Sequence, residues 1–141
     1  MSVERTFSII KPDAVASGHS GEILNNLEME GFRIIALRMT RLNKSQAEGF
    51  YAVHRERPFF PSLVKFMTEG PIIVMALERE DAVAKLREVM GATDPQKAAE
   101  GSIRKRYAES IERNCIHGSD APETAKTELA YFFSTVDLVG G

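Results

Sequence analysis

The chain has 141 residues, 43% of them hydrophobic and 27% charged, which is long enough for a sizeable core and typical of a globular protein in water. Its 18 basic and 20 acidic residues give a net charge of −2, so the overall charge favours neither nucleic acid nor an anionic membrane. The single cysteine excludes an internal disulfide, and no apolar run approaches the roughly 20 residues that cross a bilayer. We expect one domain over residues 1–141, without a signal peptide and located in the cytoplasm.

Hydrophobic spacing predicts two strands and three helices in the first half of the chain. Residues 6–11 alternate, which predicts a strand with Phe7, Ile9 and Lys11 on one face. Apolar residues at helical spacing predict a helix over 18–30, which ends at a glycine. The further elements predicted here are a strand over 32–42 and helices over 44–53 and 62–68.

The second half begins with a run that is typical of a central strand, because residues 72–77 are all apolar. Asp120 and Glu123 have the spacing of a capping box at the start of a last helix. The remaining predicted elements are a helix over 81–90, a long polar loop over 91–113 with a helical turn at 103–110, a strand over 114–117 and the last helix, ending near 133.

Without the inserted helices, the order is β-α-β-β-α-β, that of the ferredoxin-like fold. We therefore predict an α+β protein with a four-stranded antiparallel sheet, helices on its faces and a long loop before the last strand. RNA-recognition modules share this order, but they stack bases on an aromatic-rich central strand. Residues 72–77 contain no aromatic residue, which disfavours that alternative and a specific nucleic-acid partner.

The most informative segment is Asn-Cys-Ile-His-Gly-Ser-Asp at residues 114–120. Gly118 permits a sharp turn after His117, and Ser119 and Asp120 are both good helix N-cap residues. The pattern predicts an imidazole at an exposed strand-to-helix corner, beside helix N–H groups that favour phosphate. The alternative is an ordinary turn histidine.

Other polar residues lie where they need an explanation. Glu128 shares a face of the last helix with Leu129 and Phe132, and a carboxylate there needs a partner. It either approaches His117 or lies at the edge of the face and reaches water. Lys11 at a strand end, Arg87 beside an apolar helix face and the hydroxyls and arginines of loop 91–113 could bind phosphate or simply be solvated.

Several common nucleotide and metal signatures are missing from the sequence. The chain contains neither the phosphate loop G-x-x-x-x-G-K-[ST] nor the dinucleotide fingerprint G-x-G-x-x-G. It also lacks the protein-kinase catalytic set and a Cys/His cluster for zinc. A phosphate site here would need another architecture.

Taken together, these segments resemble the nucleoside diphosphate kinase family. The signature Asn-x-x-His-Gly-Ser-Asp is complete at residues 114–120, and residues 5–15 are similar to the family's opening strand. Matching segments between them, in order, are Phe50-Tyr51, Arg57-Pro58-Phe59-Phe60, Gly70-Pro71, Gly91-Ala92-Thr93-Asp94-Pro95 and Gly101-Ser102-Ile103-Arg104. The resemblance covers roughly residues 3–133.

The resemblance implies a ping-pong enzyme that moves the γ-phosphate of a nucleoside triphosphate to a nucleoside diphosphate, with broad base specificity. By matching position, His117 is the nucleophile, and Glu128 and Ser119 orient its ring. The positions that match phosphate- or ribose-binding residues are Lys11, Tyr51, Arg87, Thr93, Arg104 and Asn114. Phe59 matches the aromatic residue on which the base stacks, with Leu63 across from it.

The resemblance also implies a cofactor and partners. Mg²⁺ is expected on the nucleotide phosphates, with no protein ligand assigned. The expected partners are nucleotides such as ATP/ADP and GTP/GDP, and other copies of the chain in a tetramer or hexamer built from dimers.

The sequence departs from the family pattern at two places. Ser102 stands where the family usually has Thr, and Lys105-Arg106 stands where it commonly has a small residue and Asp, which puts subunit packing through this loop in doubt. A catalytically silent relative is a further alternative. Such a relative would be expected to have lost His117 or a phosphate ligand, and this chain keeps all of them.

Overall fold

The computed structural model describes residues 3–140 and contains one four-stranded sheet. The strands are β1 (Val3–Ile10), β2 (Arg33–Thr40), β3 (Ile72–Glu80) and β4 (Ile116–Gly118). Their order across the sheet is β2-β3-β1-β4, and every neighbouring pair is antiparallel. The predicted α+β fold with an antiparallel ferredoxin-like sheet is therefore confirmed.

Seven α-helices surround this sheet in the described part of the chain. They are α1 (Pro12–Ala16), α2 (Ser20–Met29), α3 (Lys44–Phe50), α4 (Phe60–Met67), α5 (Ala82–Met90), α6 (Ile103–Tyr107) and α7 (Pro122–Phe132). Two short 3₁₀ turns follow α3 and α7, at Ala52–His54 and Thr135–Asp137. None of the helices in residues 3–140 has the length and apolar character needed to cross a membrane.

The central strand β3 is buried on both faces of the sheet along its apolar run, residues 72–77. Along β3, alternate residues contribute to two separate core clusters. One cluster contains Met75 and packs against α2 and α5, and we call that side the α5 face. The other contains Val74 and packs against α3, α4 and the end of α7, and we call it the α7 face. The continuous apolar run is thus explained by burial on both sides.

Several predicted elements differ from the structure. The spacing indicates no helix at α1, although Pro12 suits the first position of a helix. The strand predicted over 114–117 is β4 at Ile116–Gly118. The predicted helix over 44–53 ends at Phe50, where a 3₁₀ turn takes over.

The predicted capping box of the last helix is also wrong. The helix α7 begins at Pro122, so neither Ser119 nor Asp120 is its N-cap residue. Instead, the Thr124 hydroxyl accepts the N–H of Ala121 at 3.0 Å and donates to Asp120 Oδ1 at 2.7 Å.

The pairing of β4 with β1 decides which face carries the histidine. Ile9 is directly opposite His117, and Ile10 is opposite Ile116. Side chains opposite each other in an antiparallel pair share a face. His117 therefore lies on the α7 face with Phe7 and Ile9, whereas Ile116 belongs to the core of the α5 face.

We expect Gly118→Ala to destabilise the protein, because a Cβ at Gly118 would lie 2.8 Å from both Leu86 Cδ2 and Met90 Sδ. Overpacking of this kind costs about 1–3 kcal/mol, which thermal or urea unfolding measures. Gly21→Ala is the matched control, since its Cβ would meet nothing within 4 Å. An unchanged Gly118→Ala midpoint would contradict the close packing of β4 on α5.

Candidate active site

His117 is held by a carboxylate from α7. Its Nε2 lies 2.8 Å from Glu128 Oε1, and the same oxygen accepts a hydrogen bond from Ser119 Oγ at 2.7 Å. An ionised carboxylate only accepts, so Nε2 carries the proton and Nδ1 keeps its lone pair. The expectation that Glu128 approaches His117 is confirmed.

Aromatic rings surround the imidazole on the α7 face. The ring centroids of Phe50, Phe7 and Tyr51 lie 5.5, 6.0 and 6.3 Å from that of His117, each in an edge-on arrangement. The His117 side chain is 19% exposed. Burial lowers the pKa of His117 below its ordinary value of 6.5, and this outweighs the opposing effect of Glu128. The ring is therefore neutral at pH 7 and has a free nucleophilic nitrogen.

A buried lysine lies beside the histidine. Lys11, at the end of β1, is 6% exposed, and its Nζ donates to Asn114 Oδ1 at 2.8 Å. Burial and the nearby Arg104 guanidinium lower the pKa of Lys11 to about 8. The ammonium is thus still mostly charged at pH 7, but it is poorly hydrated and well suited to an anionic ligand.

Arg104 lies behind the wall of the site. It is 5% exposed, and its guanidinium donates to the carbonyl oxygens of Ile116, Gly91 and Asn114 at 2.7, 3.2 and 3.4 Å. Burial, and then the charge of Arg87, lowers the pKa of Arg104 to about 10. Its position ties α6 to the segment that carries Asn114 and His117.

A cleft of about 470 Å³ opens in front of His117. Its lining combines the imidazole with Lys11, Arg87, Thr93 and Glu128. The Arg87 guanidinium also donates to the Gly118 carbonyl at 3.2 Å, which fixes it next to β4. The cleft therefore presents the His117 imidazole among cationic and hydroxyl side chains.

A narrower slot of about 310 Å³ continues from the cleft. The two cavities share Lys11, Phe59, Leu63 and Thr93. Phe59 is 47% exposed at the start of α4, so its ring is available for stacking. A long ligand could thus place a flat ring in the slot and a charged tail in the cleft.

The structure brings together all of the residues proposed from the sequence, although not all of them face the cavities. Those that line the cleft or the slot are Lys11, Tyr51, Phe59, Leu63, Arg87, Thr93, Asn114, His117 and Glu128. Ser119 and Arg104 line neither cavity. Ser119 contacts Glu128, and Arg104 binds the backbone behind the wall of the cleft. The Tyr51 hydroxyl is buried and has no hydrogen-bond partner within residues 3–140.

Sequence reasoning missed several residues at the site. His54 and Thr124 line the cleft, and Glu112 lines the slot and accepts a hydrogen bond from Ser62 Oγ at 2.8 Å. Nothing in their spacing indicated this. Asp13 was also missed, and the structure buries it at 3% exposure. The signal in the sequence was a carboxylate directly after Lys11-Pro12.

The cleft does not offer a cage of protein ligands for a metal ion. Within residues 3–140, no group of three His, Cys, Asp or Glu residues could hold one. Asp120 and Glu128 are the carboxylates that line the cleft, and Glu128 already accepts two hydrogen bonds. This donor set fits a divalent cation that is held mainly by the phosphates of a ligand.

A second cavity of similar size lies elsewhere, between α7 and the following segment. Its volume is about 480 Å³, and its lining includes Leu129, Phe133 and Leu138 with Arg5 and Lys126 among its few charged residues. None of the proposed site residues lines it, and it contains no nucleophile beside a base. The chemistry therefore concentrates in the cleft at His117.

Comparisons with known proteins point to one family. A family model described as nucleoside diphosphate kinase matches residues 4–138. The nucleoside diphosphate kinase of Nitrosospira multiformis is 61% identical over 138 residues, covering 98% of each chain. That of Bradyrhizobium diazoefficiens is 60% identical over 140 residues, covering 99% of this chain and 100% of its own.

Solved structures agree with this result. The nucleoside diphosphate kinase of Aquifex aeolicus has a TM-score of 0.96 and 46% identity, covering 98% of this chain and 100% of its own. The halophilic nucleoside diphosphate kinase of Halobacterium salinarum, solved in complex with CDP, has a TM-score of 0.95 and 40% identity, covering 99% of this chain and 93% of its own.

We expect His117 to titrate below pH 6.5 in an NMR titration of its ring, because burial favours the neutral form. Glu128→Gln should lower this midpoint further, since the Glu128 charge raises the pKa of His117. The ring signals of His19, which does not line the cleft, are the control in the same spectra. A midpoint that rises in Glu128→Gln would contradict the contact between the two side chains.

Proposed function

Because this chain belongs to the nucleoside diphosphate kinase family, we propose that its transfer of phosphate passes through a covalent phosphohistidine on His117. The activity moves the γ-phosphate of a nucleoside triphosphate to a nucleoside diphosphate. The observation that carries the assignment of His117 is its 2.8 Å hydrogen bond from Nε2 to Glu128. That bond leaves Nδ1 as the nucleophilic nitrogen in a cleft lined with cations.

The reaction has two similar halves. In the first, the Nδ1 lone pair forms a bond to the γ-phosphorus while the bond from that phosphorus to the β,γ-bridging oxygen breaks, and the nucleoside diphosphate leaves with the electron pair. In the second, a terminal oxygen of another nucleoside diphosphate attacks the phosphohistidine, and Nδ1 regains its lone pair. Glu128 and Ser119 hold the ring in one orientation throughout, so little motion is needed between the halves.

The cationic residues assist by positioning and charge. Phosphoryl transfer depends mainly on these two effects. Lys11 contacts the transferring phosphoryl group, and Arg87 and Thr93 hold the outer phosphates. Arg104 adds positive charge from behind the wall. The buried Tyr51 hydroxyl is available to donate to a phosphate once the cleft is occupied.

The base and the sugar occupy the slot. The base stacks on Phe59 with Leu63 on its other side, and Asn114 contacts a sugar hydroxyl. Every base has a flat π-face, so this arrangement accepts purines and pyrimidines alike. The complex of the Halobacterium salinarum relative with CDP supports a pyrimidine nucleotide as one of these ligands.

Family members use a divalent cation, and we infer that here it is Mg²⁺ bound to the nucleotide phosphates. When bound, it would neutralise part of the charge on those phosphates. Asp120, at the rim of the cleft, is the carboxylate best placed to hold its water shell. Lys11 and Arg87 would orient the phosphates from the wall of the cleft.

The remaining parts of the proposal concern organisation. We propose one domain over residues 1–141, which the match over residues 4–138 supports. Exposed Leu37 and Met39 on the edge strand β2 support a homo-oligomer, a tetramer or hexamer built from dimers. We also propose that the protein is cytoplasmic, and the single buried Cys115, which forms no disulfide, supports a reducing compartment.

We expect incubation with γ-labelled ATP to give a protein-bound label that is stable in base and lost in acid, as phosphohistidine is. His117→Ala should lose both this label and nucleotide exchange while keeping the wild-type unfolding midpoint. His19→Ala is the matched control and should keep both, because His19 does not line the cleft. Labelling of folded His117→Ala would move the nucleophile elsewhere.

We expect Phe59→Ala to weaken binding of purine and pyrimidine nucleotides by a similar amount, about 1–3 kcal/mol, because stacking does not read base edges. Calorimetry with ADP, GDP and CDP measures this. Val136→Ala, at a side chain that is 88% exposed outside the cleft, is the control for loss of apolar surface. A loss confined to one base would contradict the stacking role.

A further inference from the structure

We propose that Asp13 is a positioning residue of the phosphoryl-transfer site, in which its carboxylate holds a strained turn between Asn114 and His117 and balances the charge of Lys11. This inference rests on the proposed role of His117. Asp13 lies on α1 and does not line the cleft or the slot. It can therefore act only through its neighbours.

The turn in question is centred on Cys115. The N–H of Ile116 donates to the carbonyl of Asn114 at 2.8 Å, and Cys115 between them has a φ of +65°. A hydrogen bond from residue i+2 to residue i around a left-handed centre defines the rarer and more strained form of γ-turn. A non-glycine residue in this conformation is strained, and it persists only when its surroundings enforce it.

Three residues enforce the turn by binding its backbone. Asp13 Oδ2 accepts the N–H of Cys115 at 3.1 Å, and the backbone N–H of Lys11 donates to the Cys115 carbonyl at 2.9 Å. Arg104 donates to the carbonyls on either side. Asp13 is the acidic member of this set, and its hydrogen bond with Cys115 joins residues that are 102 positions apart in the sequence. The turn sends Asn114 toward the slot and His117 into the cleft.

The burial of Asp13 has a cost that its own helix does not explain. The residue is 3% exposed, and its Oδ1 is buried without a hydrogen-bond partner within residues 3–140. Burial is the largest influence on the pKa of Asp13 and raises it from 3.8. Asp13 lies in the first turn of α1, where the backbone N–H groups of Asp13 and Ala14 favour its charge, but burial outweighs them. The N–H of Cys115 and the neighbouring Lys11 ammonium are the further partners of this buried carboxylate.

The second role of Asp13 is electrostatic. Lys11 faces Arg104 of α6, Asp13 of α1, Cys115 of the turn and His117 of β4, and Arg113 in turn faces Asp13. Burial and Arg104 oppose the charge of Lys11, whereas Asp13 favours it and keeps its pKa as high as about 8. Without Asp13, Lys11 would lose its proton at a lower pH, and the cleft would lose one of its cations.

Asp13→Asn separates the two roles, because an amide oxygen can still accept the N–H of Cys115 but carries no charge. We expect the alkaline limb of kcat/KM for nucleotide exchange to move to lower pH, and the ¹³Cε titration midpoint of Lys11 to fall with it. Asp81→Asn is the matched control, since Asp81 is exposed and loses the same charge at a backbone conformation that Asn tolerates. Folded Asp13→Asn with a wild-type Lys11 midpoint would overturn the electrostatic role.

Asp13→Ala removes both roles. We expect kcat/KM for nucleotide exchange to fall on the order of 10²-fold, because a displaced reacting group lowers the rate by about this factor. The loss should be larger than in Asp13→Asn. A folded Asp13→Ala protein with wild-type kcat/KM would overturn the positioning role.

A measurement on the wild type covers the case in which Asp13→Ala does not fold. The amide proton shift of Cys115 should follow the protonation of Asp13 with a midpoint above 3.8, and a shift that stays constant through that titration would overturn the hydrogen bond. Labelling of wild-type His117 tests the proposed function separately, because it depends on no change at Asp13.

Discussion

The antiparallel pairing of β4 with β1 is the constraint on which the candidate site depends. The strand β4 has only three residues, yet the register that sets His117 opposite Ile9 decides which face of the sheet carries the imidazole. A slip of one residue would turn the ring into the core beneath α5. In the observed register, the ring instead meets Glu128 of α7 and a group of aromatic side chains. A very short strand thus determines whether the imidazole has a carboxylate partner.

The same face imposes opposing effects on the ring. The aromatic side chains and the sheet remove water and favour the neutral imidazole, whereas Glu128 favours the protonated form. Burial prevails, so a lone pair remains at neutral pH. Glu128 nevertheless fixes the tautomer, because its carboxylate can only accept a hydrogen bond, so the proton stays on Nε2. Orientation and nucleophilicity therefore come from different neighbours, and each can be altered without removing the other.

The cationic side of the site relies on backbone carbonyls and on one buried acid. The Arg104 guanidinium donates its hydrogen bonds to backbone carbonyls at and near the Cys115 turn. These bonds explain why a residue expected to contact phosphate lies behind the wall of the cleft. Lys11 is about as buried as Arg104, but its side chain lines the cleft. The carboxylate of Asp13 offsets part of the Lys11 charge. The strain of the turn and the burial of these charges belong to one local arrangement.

The sequence by itself determined the succession of the four strands along the chain, the α+β class and the segment 114–120, because hydrophobic periodicity and a dense local motif are encoded by adjacent residues. It also marked Glu128 as a carboxylate that needed a partner. Only the tertiary structure decided that this partner is His117, that Arg104 supports the backbone, and that Asp13 reaches Cys115 across 102 positions. Those contacts depend on sheet register and on the start of α7 at Pro122, and long-range pairing of this kind leaves no periodic trace in the chain.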